Sequence, residues 1–305
     1  MIYSNWLYEW LENYVKTTNK QRTYDRYYQI INTHIIKELG HYRLDDLSAL
    51  ILQKYVSCLL TNGNKRTGVP LSANSVNSII SIIQSSLKVA NMLGLVKEYC
   101  AGKIVRPKIK EKQVLCFSIQ EQKQIEHYVL SSNKKKLYGI IICLYAGLRI
   151  GELLALTWDD IDLIRGIMYI SKTAYDTKNG RCIDSPKTIT SVRIIPLPKQ
   201  LLSILKELKK SNRSNWVIVD NESKIISVRS YQRSFELLLK KLKIEHKGFH
   251  ALRHTFATRA LECGMDIKSL SEILGHKNTN TTLNRYVHSL LEHKQDMMNK
   301  LGKLL

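Results

Sequence analysis

The sequence lacks the features of a membrane or secreted protein. No uncharged apolar run reaches the roughly 18 residues that suggest a membrane-spanning helix. The chain starts MIYSNWLYEWLENYV, which mixes aromatic and acidic side chains where a signal peptide needs a basic segment and then an apolar run. We therefore expect a soluble, cytoplasmic protein.

Metal-binding and disulfide patterns are also missing. The six cysteines contain no C-x-x-C pair and no metal spacing, and four of them lie in apolar stretches. Reduced and mostly packed cysteines are therefore expected. They are Cys58, Cys100, Cys116, Cys143, Cys182 and Cys263.

Acidic residues are scarce. The 26 Asp and Glu face 47 Lys and Arg, which gives a formal net charge of +21. Such an excess favours a polyanionic partner, and nucleic acid is the simplest one. The alternative is a basic surface that is only solvated. A membrane partner is disfavoured because no basic amphipathic helix stands apart from the foldable pattern.

Residues 1–100 show helical periodicity and no strand pattern. A polar segment with Gly63, Gly68 and Pro70 separates the third stripe from the fourth, and Ser72 or Asn74 is placed to cap the fourth helix. We predict a bundle of four helices, with apolar stripes in 6–15, 24–39, 47–60 and 76–93.

Residues 101–113, AGKIVRPKIKEKQ, interrupt the helical pattern. Pro107 disfavours helix at and before its position, so we predict an extended linker. This linker is either an ordinary solvated loop or a basic strap along the DNA backbone. Its bases are Lys103, Arg106, Lys108, Lys110 and Lys112.

Residues 114–305 mix helices with short strands. Helices are predicted at about 118–131 and 134–146, followed by helix from 151 and again after Pro198. Strand patterns occupy 161–164, 167–170 and 192–197, and WVIV at 216–219 is strand-like. The predicted fold class is therefore mainly α with a small β-sheet (α+β) in a second domain.

Six residues of complementary chemistry follow one another in this second domain. The order Arg-Lys-His-x-x-Arg-His-Tyr resembles that of the tyrosine recombinase family, which includes the phage-type integrases and Xer-type recombinases. The resemblance is strong from about 114 to 290 and only general before that. Its contexts are AGLRIGELLAL around Arg149, SPKTITSVRIIPLP around Lys187, HALRHTF from His250 through Arg253, LGH ending at His276, and TTLNRYVHS around Tyr286.

These residue types suit metal-independent cleavage of a phosphodiester. Arg149 and Arg253 can hold the non-bridging phosphate oxygens, because a guanidinium is always charged and donates bidentately. His250 and Arg253 share a helix face. His254 raises the alternative of a metal pair with His250, but no H-E-x-x-H pattern or third ligand is evident, so no metal is expected. The stripe expected to be buried on another side is Phe249, Leu252, Phe256 and Ala260.

The remaining roles come from the resemblance. Tyr286 is the expected nucleophile, His250 acts as base and acid at the tyrosine, and His276, just after the helix stop at Gly275, donates to the phosphate. Lys187 is the general acid, although Lys172 and Lys178 compete for that role. Glu152 supports Arg149. No cofactor is required.

The resemblance also implies an architecture and partners. Residues 1–100 would form a helical, SAM-like core-binding domain and residues 114–305 the integrase-like catalytic domain, without an additional amino-terminal arm-binding domain. Together they would close around double-stranded DNA with paired inverted half-sites, as a dimer per site and a tetramer on two sites. The expected protein is a nucleoid-associated site-specific recombinase, with room for an accessory DNA-bending or directionality factor.

Three alternatives stay open at this point. A type IB topoisomerase shares the nucleophile chemistry, but the SPKT and LGH contexts favour a recombinase. A non-catalytic DNA-binding accessory protein would explain the charge, whereas the complete set of six residues argues against it. RNA is a third partner, for which no aromatic-rich strand motif is found.

The tail 289–305, SLLEHKQDMMNKLGKLL, carries an apolar set that is too large for a solvated helix. It packs either on its own catalytic domain or, as the resemblance implies, on a neighbouring protomer. Truncation after His288 is expected to leave half-site binding intact and to abolish cooperative filling of paired half-sites.

Overall fold

The chain forms two compact units, Met1–Lys112 and Gln113–Leu305. The computed structural model describes residues 1–64, 67–109, 114–132, 134–177, 180–184, 192–220, 222, 224–276, 298–299 and 301–302. In these ranges no helix combines the length and apolarity needed to cross a bilayer.

The first unit is helical, with the four helical stretches that the sequence predicted. The first two stretches each contain a π-helical segment, Leu11–Val15 and Ile31–Ile35, whose first and last residues are buried. The α-helical segments are α1 (Tyr3–Trp10), α2 (Lys16–Thr18), α3 (Gln21–Ile30), α4 (Ile36–Leu39), α5 (Ala49–Asn62) and α6 (Ala73–Met92).

Helix α6 lies at the centre of this unit. It begins at Ser72, whose side chain accepts a hydrogen bond from the Ser75 amide, as the sequence indicated. The Trp6 indole donates to the Ser86 carbonyl at 3.0 Å, and the Tyr3 hydroxyl lies 3.0 Å from the Ser86 hydroxyl. These bonds satisfy polar groups that would otherwise be costly to bury.

The start of the predicted linker belongs to the first unit. Residues Cys100–Lys103 form a short 3₁₀ helix, and both Ala101 and Ile104 are buried in the unit's core. Arg106 then donates to the Gln84 side chain at 2.6 Å and to the Ser81 hydroxyl at 3.1 Å. Ala101 and Ile104 therefore pack into the core of the first unit, whereas Val105 and Ile109 are exposed.

The second unit combines helices with two small antiparallel sheets, so the predicted fold class is confirmed. Its helices are α7 (Ile119–Ser131), α8 (Tyr138–Ala146), α9 (Ile150–Leu154), α10 (Lys199–Lys210), α11 (Val228–Lys241), α12 (His250–Glu262) and α13 (Ile267–Leu274). Its strands are β1 (Ile161–Asp162), β2 (Ile167–Ile170), β3 (Thr173–Thr177), β4 (Gly180–Asp184) and β5 (Arg193–Pro196).

The three predicted strands pair in the order β1-β2-β5, with Met168 opposite Ile195. The second sheet, β3-β4, was not predicted, because its residues TAYDT and GRCID are mostly polar and lack an apolar alternation. The strand-like WVIV forms only isolated bridges at Trp216 and Val219.

Helix α8 is the central element of the second core. Ile140, Ile141 and Ile142 are completely buried, and the whole helix is apolar, so it contacts protein on every side. It ends at Gly147, which has a left-handed φ of 64°. This abrupt stop turns the chain toward Leu148 and Arg149.

Candidate active site

Arg149 lies where α8 ends and α9 begins. Its backbone amide donates to Glu152 Oε2 at 2.9 Å, and its Nη1 donates to Oε1 of the same carboxylate at 2.6 Å. Nη2 donates to the Gly275 carbonyl at 3.1 Å. The side chain is 36% exposed, so a guanidinium that is held by two hydrogen bonds still faces solvent.

Glu152 is the buried anion of the site, with a side-chain exposure of 5%. Burial alone would raise its pKa, but hydrogen bonds from Arg193 and the charges of Arg193 and Arg149 outweigh that effect and lower the pKa to about 2. Glu152 therefore stays ionised at neutral pH. Its contacts to Arg149 are in place, and its supporting role stays a prediction.

Arg253 is buried deep in the same cluster. Its side chain is 2% exposed, and its Nη1 lies 4.0 Å from Glu152 Oε2. Nη1 donates to the Gly147 carbonyl at 2.9 Å and Nη2 to the Leu274 carbonyl at 2.5 Å. Arg253 is thus on the same helix as His250 but is buried, because carbonyls at the ends of α8 and α13 hold its guanidinium.

His250 is the first residue of α12 and is exposed. Its ring lies 4.6 Å from the His254 ring in an edge-to-face arrangement. Of the expected stripe, Phe249 and Leu252 are buried, while Phe256 and Ala260 are partly buried. Within the described residues, no group of three or more His, Cys, Asp and Glu side chains is placed to hold a metal ion.

The LGH segment brings His276 to this site. Gly275 has a φ of 62° and ends α13, as the sequence predicted, and the His276 amide then donates to the Ser271 carbonyl at 3.0 Å. A cavity of about 590 Å³ opens here between β5 and α13. It is lined by Arg193, Gly275 and His276 among others.

Arg193 is a member of the cluster that we did not predict. It donates from Nη2 to Glu152 Oε2 at 2.9 Å and from Nε to the Ile273 carbonyl at 2.5 Å. A signal for it exists in the sequence: in the strand RIIP, Arg193 and Ile195 share one face, and that face is buried. An arginine at an inward-facing strand position implies a buried acidic partner.

Two of the predicted catalytic residues, Lys187 and Tyr286, lie outside the described residues, as do Lys110, Lys112 and Lys178. Lys172, one of the competitors for the acid role, is engaged elsewhere: its Nζ lies 2.7 Å from Asp160 Oδ2. Of the tail, residues 298–299 and 301–302 are described, with Met298 and Leu301 exposed.

The described linker bases lie on the first unit. Lys103 forms an exposed ion pair with Glu98 at 2.5 Å, and Arg106 is bound by α6, as given above. Lys108 is exposed. The residues that converge at the site are therefore Arg149, Glu152, Arg193, Arg253 and His276.

Comparison with known families decides what this cluster belongs to. Residues 111–293 match the phage integrase family, and residues 2–60 match the N-terminal SAM-like domain of phage integrases. The chain belongs to the phage integrase family. This phage integrase is a site-specific DNA recombinase, an enzyme that cuts and rejoins DNA, as the sequence predicted; the alternatives of a topoisomerase and an accessory protein are not favoured.

The relatives of this phage integrase include recombinases and transposon proteins. A tyrosine recombinase XerC-like protein of Caldanaerobacter subterraneus subsp. tengcongensis is 26% identical, over 98% of this chain and 82% of its own length. The Tn1549 transposon integrase, solved with a circular intermediate DNA, superposes with a TM-score of 0.84 at 20% identity, over 99% of both chains. A lambda integrase tetramer bound to a Holliday junction gives 0.71 at 20% identity, over 92% of this chain and 78% of that one.

Proposed function

We propose that this phage integrase cuts duplex DNA by attack of Tyr286 on the scissile phosphate, which forms a 3′-phosphotyrosyl bond and frees a 5′-hydroxyl. The observation that carries the proposal is the cluster in which Arg149 and Arg253 surround the Glu152 carboxylate and bind the LGH segment. The same segment carries His276, and Tyr286 follows it by ten residues.

The arginines supply positive charge where the reaction develops negative charge. In a pentavalent transition state the two non-bridging oxygens gain charge, and donors that are already fixed need no reorganisation at that moment. Arg149 presents the more exposed guanidinium. Arg253 adds its charge from a buried position, where solvent screens it less than at the surface.

Proton transfer would be the task of the other residues. A tyrosine hydroxyl is almost fully protonated at neutral pH, so Tyr286 must lose its proton as it attacks, and exposed His250 is the base that we assign. Lys187 would give a proton to the leaving 5′-oxygen, and His276 would donate a hydrogen bond to the phosphate. The ion pair of Lys172 with Asp160 supports the choice of Lys187.

The units and the assembly follow from the family. We assign core-site binding to the first unit, with Lys103, Arg106 and Lys108 as contacts to the DNA backbone together with Lys110 and Lys112. The lambda integrase tetramer on a Holliday junction supports an assembly of four protomers on two paired sites. We assign the apolar tail 289–305 to a neighbouring protomer in that assembly.

A nicked suicide substrate tests the nucleophile. The cut strand loses a short 5′-hydroxyl fragment by diffusion, so the covalent protein–DNA adduct accumulates and is counted on a denaturing gel. We expect Tyr286→Phe to bind the site like wild type and to form no adduct, because only the attacking oxygen is removed. Tyr169→Phe, on the exposed side of β2, is the matched control and should form adduct normally. Adduct on the Tyr286→Phe variant at the wild-type level would place the nucleophile elsewhere.

A further inference from the structure

Arg193 is buried, and a buried guanidinium needs partners that compensate its charge. It is the first residue of β5, pairs with Ile170 of β2, and has a side chain that is only 5% exposed. Burying a guanidinium is costly unless it is paired with an acid and hydrogen-bonded. Its contacts show which groups compensate that cost.

Arg193 binds both oxygens of Glu152. Nη1 lies 3.1 Å from Oε1, and Nη2 lies 2.9 Å from Oε2. Nε donates to the Ile273 carbonyl at 2.5 Å. A Cβ atom added to Gly275 would lie 3.0 Å from Arg193 Cδ, so the side chain also packs closely against the LGH segment.

Glu152 is shared by three guanidiniums in unequal ways. Arg193 contacts both carboxylate oxygens, the Arg149 side chain contacts Oε1 at 2.6 Å, and Arg253 lies 4.0 Å from Oε2. One negative charge therefore faces three positive charges. The most exposed of the three, Arg149, is the one that we assign to the phosphate.

We propose that Arg193 is a positioning residue whose charge neutralises Glu152, so that the positive charge of Arg149 is not offset by this carboxylate and acts on the scissile phosphate. Glu152 is needed to aim Arg149, because it accepts from both the Arg149 amide and its guanidinium. Without Arg193, the Glu152 carboxylate would pair mainly with Arg149, and its negative charge would offset the positive charge of Arg149. The inference rests on the proposed cleavage reaction and assigns a role to a residue outside the six.

The test is a double-variant cycle on the suicide substrate, with the intact protein and single-turnover rates of adduct formation. Arg193→Met should slow adduct formation about tenfold or more, with DNA affinity close to wild type. Glu152→Gln combined with Arg193→Met should restore part of the lost rate, because glutamine still accepts from the Arg149 amide and carries no charge to cancel. In the Glu152→Gln background, adding Arg193→Met should therefore change the rate little.

Arg181→Met is the matched control. Arg181 is a partly buried arginine of the second unit, and its guanidinium donates to the carbonyls of Leu154 and Ile226; Glu152 is not its acceptor. If removing such an arginine affects cleavage only through packing, this variant and Arg193→Met should behave alike, and Glu152→Gln should rescue neither. We expect rescue for Arg193→Met only.

The outcomes separate the two proposals. No adduct with the wild-type protein would reject the proposed cleavage itself. Adduct with wild type, together with a double variant as slow as Arg193→Met, would overturn the role of Arg193 alone. If Arg193→Met does not fold because the buried Glu152 carboxylate loses the partner that binds both of its oxygens, the comparison of Glu152→Gln with the double variant decides. A loss of about tenfold or more on adding Arg193→Met to the Glu152→Gln variant would then reject charge neutralisation.

Discussion

The two units of the protein differ in how many polar side chains they bury. Among the described residues, the buried polar side chain of the first unit is Ser86, whereas the second unit buries nine polar or charged residues, Arg193, Arg253 and Glu152 among them. In the first unit, Arg26 and Arg106 lie at the surface and donate to neutral groups of α6, such as the Ser78 hydroxyl and the Gln84 side chain.

This difference separates residues that attract DNA from residues that act on the cleavage reaction. Surface arginines attract a phosphate backbone with a strength that falls as the salt concentration rises. Buried arginines that are fixed on carbonyls and a carboxylate cost stability to bury, but they hold their charge at defined positions. We therefore expect substitutions in the first unit to alter binding and substitutions in the cluster to alter the rate of cleavage.

The largest expected effect is that of Arg253→Lys. An ammonium keeps the charge but cannot reach both the Gly147 and the Leu274 carbonyls, so we expect cleavage to fall by about 10²–10³. Single-turnover adduct formation measures the rate, and a gel-shift titration measures DNA affinity, which should change far less. A conservative Arg106→Lys in the first unit is the control. A similar loss of cleavage in both variants would abolish the contrast between the units.

Acid should destabilise the second unit first. The pKa of Glu152 is lowered from 4.5 to about 2, so the stability from its ion pairs is present above pH 4.5 and is lost as the pH falls toward 2. The loss is on the order of 3 kcal/mol. Hydrogen exchange should show α9 opening over this range before α6, and Glu152→Gln should flatten the pH dependence of α9. Equal acid sensitivity of α9 in wild type and Glu152→Gln would contradict the assignment.

A smaller effect is expected for Arg106→Gln. Loss of one phosphate contact should weaken DNA binding modestly and reduce the slope of log affinity against log salt by about 1. Fluorescence anisotropy between low and physiological salt gives both values. Lys16→Gln, which removes the exposed partner of Glu12, is the control and should leave the slope unchanged. A wild-type affinity that hardly depends on salt would remove the role of the linker bases altogether.

The smallest expected effect on the rate of adduct formation is that of removing divalent ions with a chelator. Arg149, Arg253 and Lys187 are assigned the charge-neutralising and proton-donating roles that metal ions fill in many nucleases. Adduct formation should therefore proceed at the same rate in excess EDTA as in magnesium. Activity that disappears in EDTA and returns only with a divalent ion would contradict the proposed mechanism.

Sequence reasoning recovered the features that depend on local pattern. The helix stop at Gly275, the cap at Ser72 and the three apolar strands depend on neighbouring residues, and all are present. The polar hairpin β3-β4 was missed because it has no apolar alternation. Arg193 was missed for another reason: its acidic partner is 41 residues away, and only the tertiary fold brings the two together.

The contacts of Arg253 were unpredictable for the same reason. Its spacing from His250 correctly indicated one helix, but its burial depends on carbonyls 106 and 21 residues away in the sequence. The catalytic roles of all six residues and the docking of the tail stay predictions.

The carbonyls that bind the three arginines all terminate helices. Gly147 follows the last residue of α8, and Ile273, Leu274 and Gly275 form the end of α13, so each guanidinium lies at the negative end of a helix dipole. The three arginines therefore hold these helix ends together in the folded structure, in addition to the roles in cleavage that we assign to them. Replacing any one of them would leave a helix-end carbonyl without its donor, so the packing between α8, α9, α13 and β5 depends on the same guanidiniums that we assign to the reaction and its support.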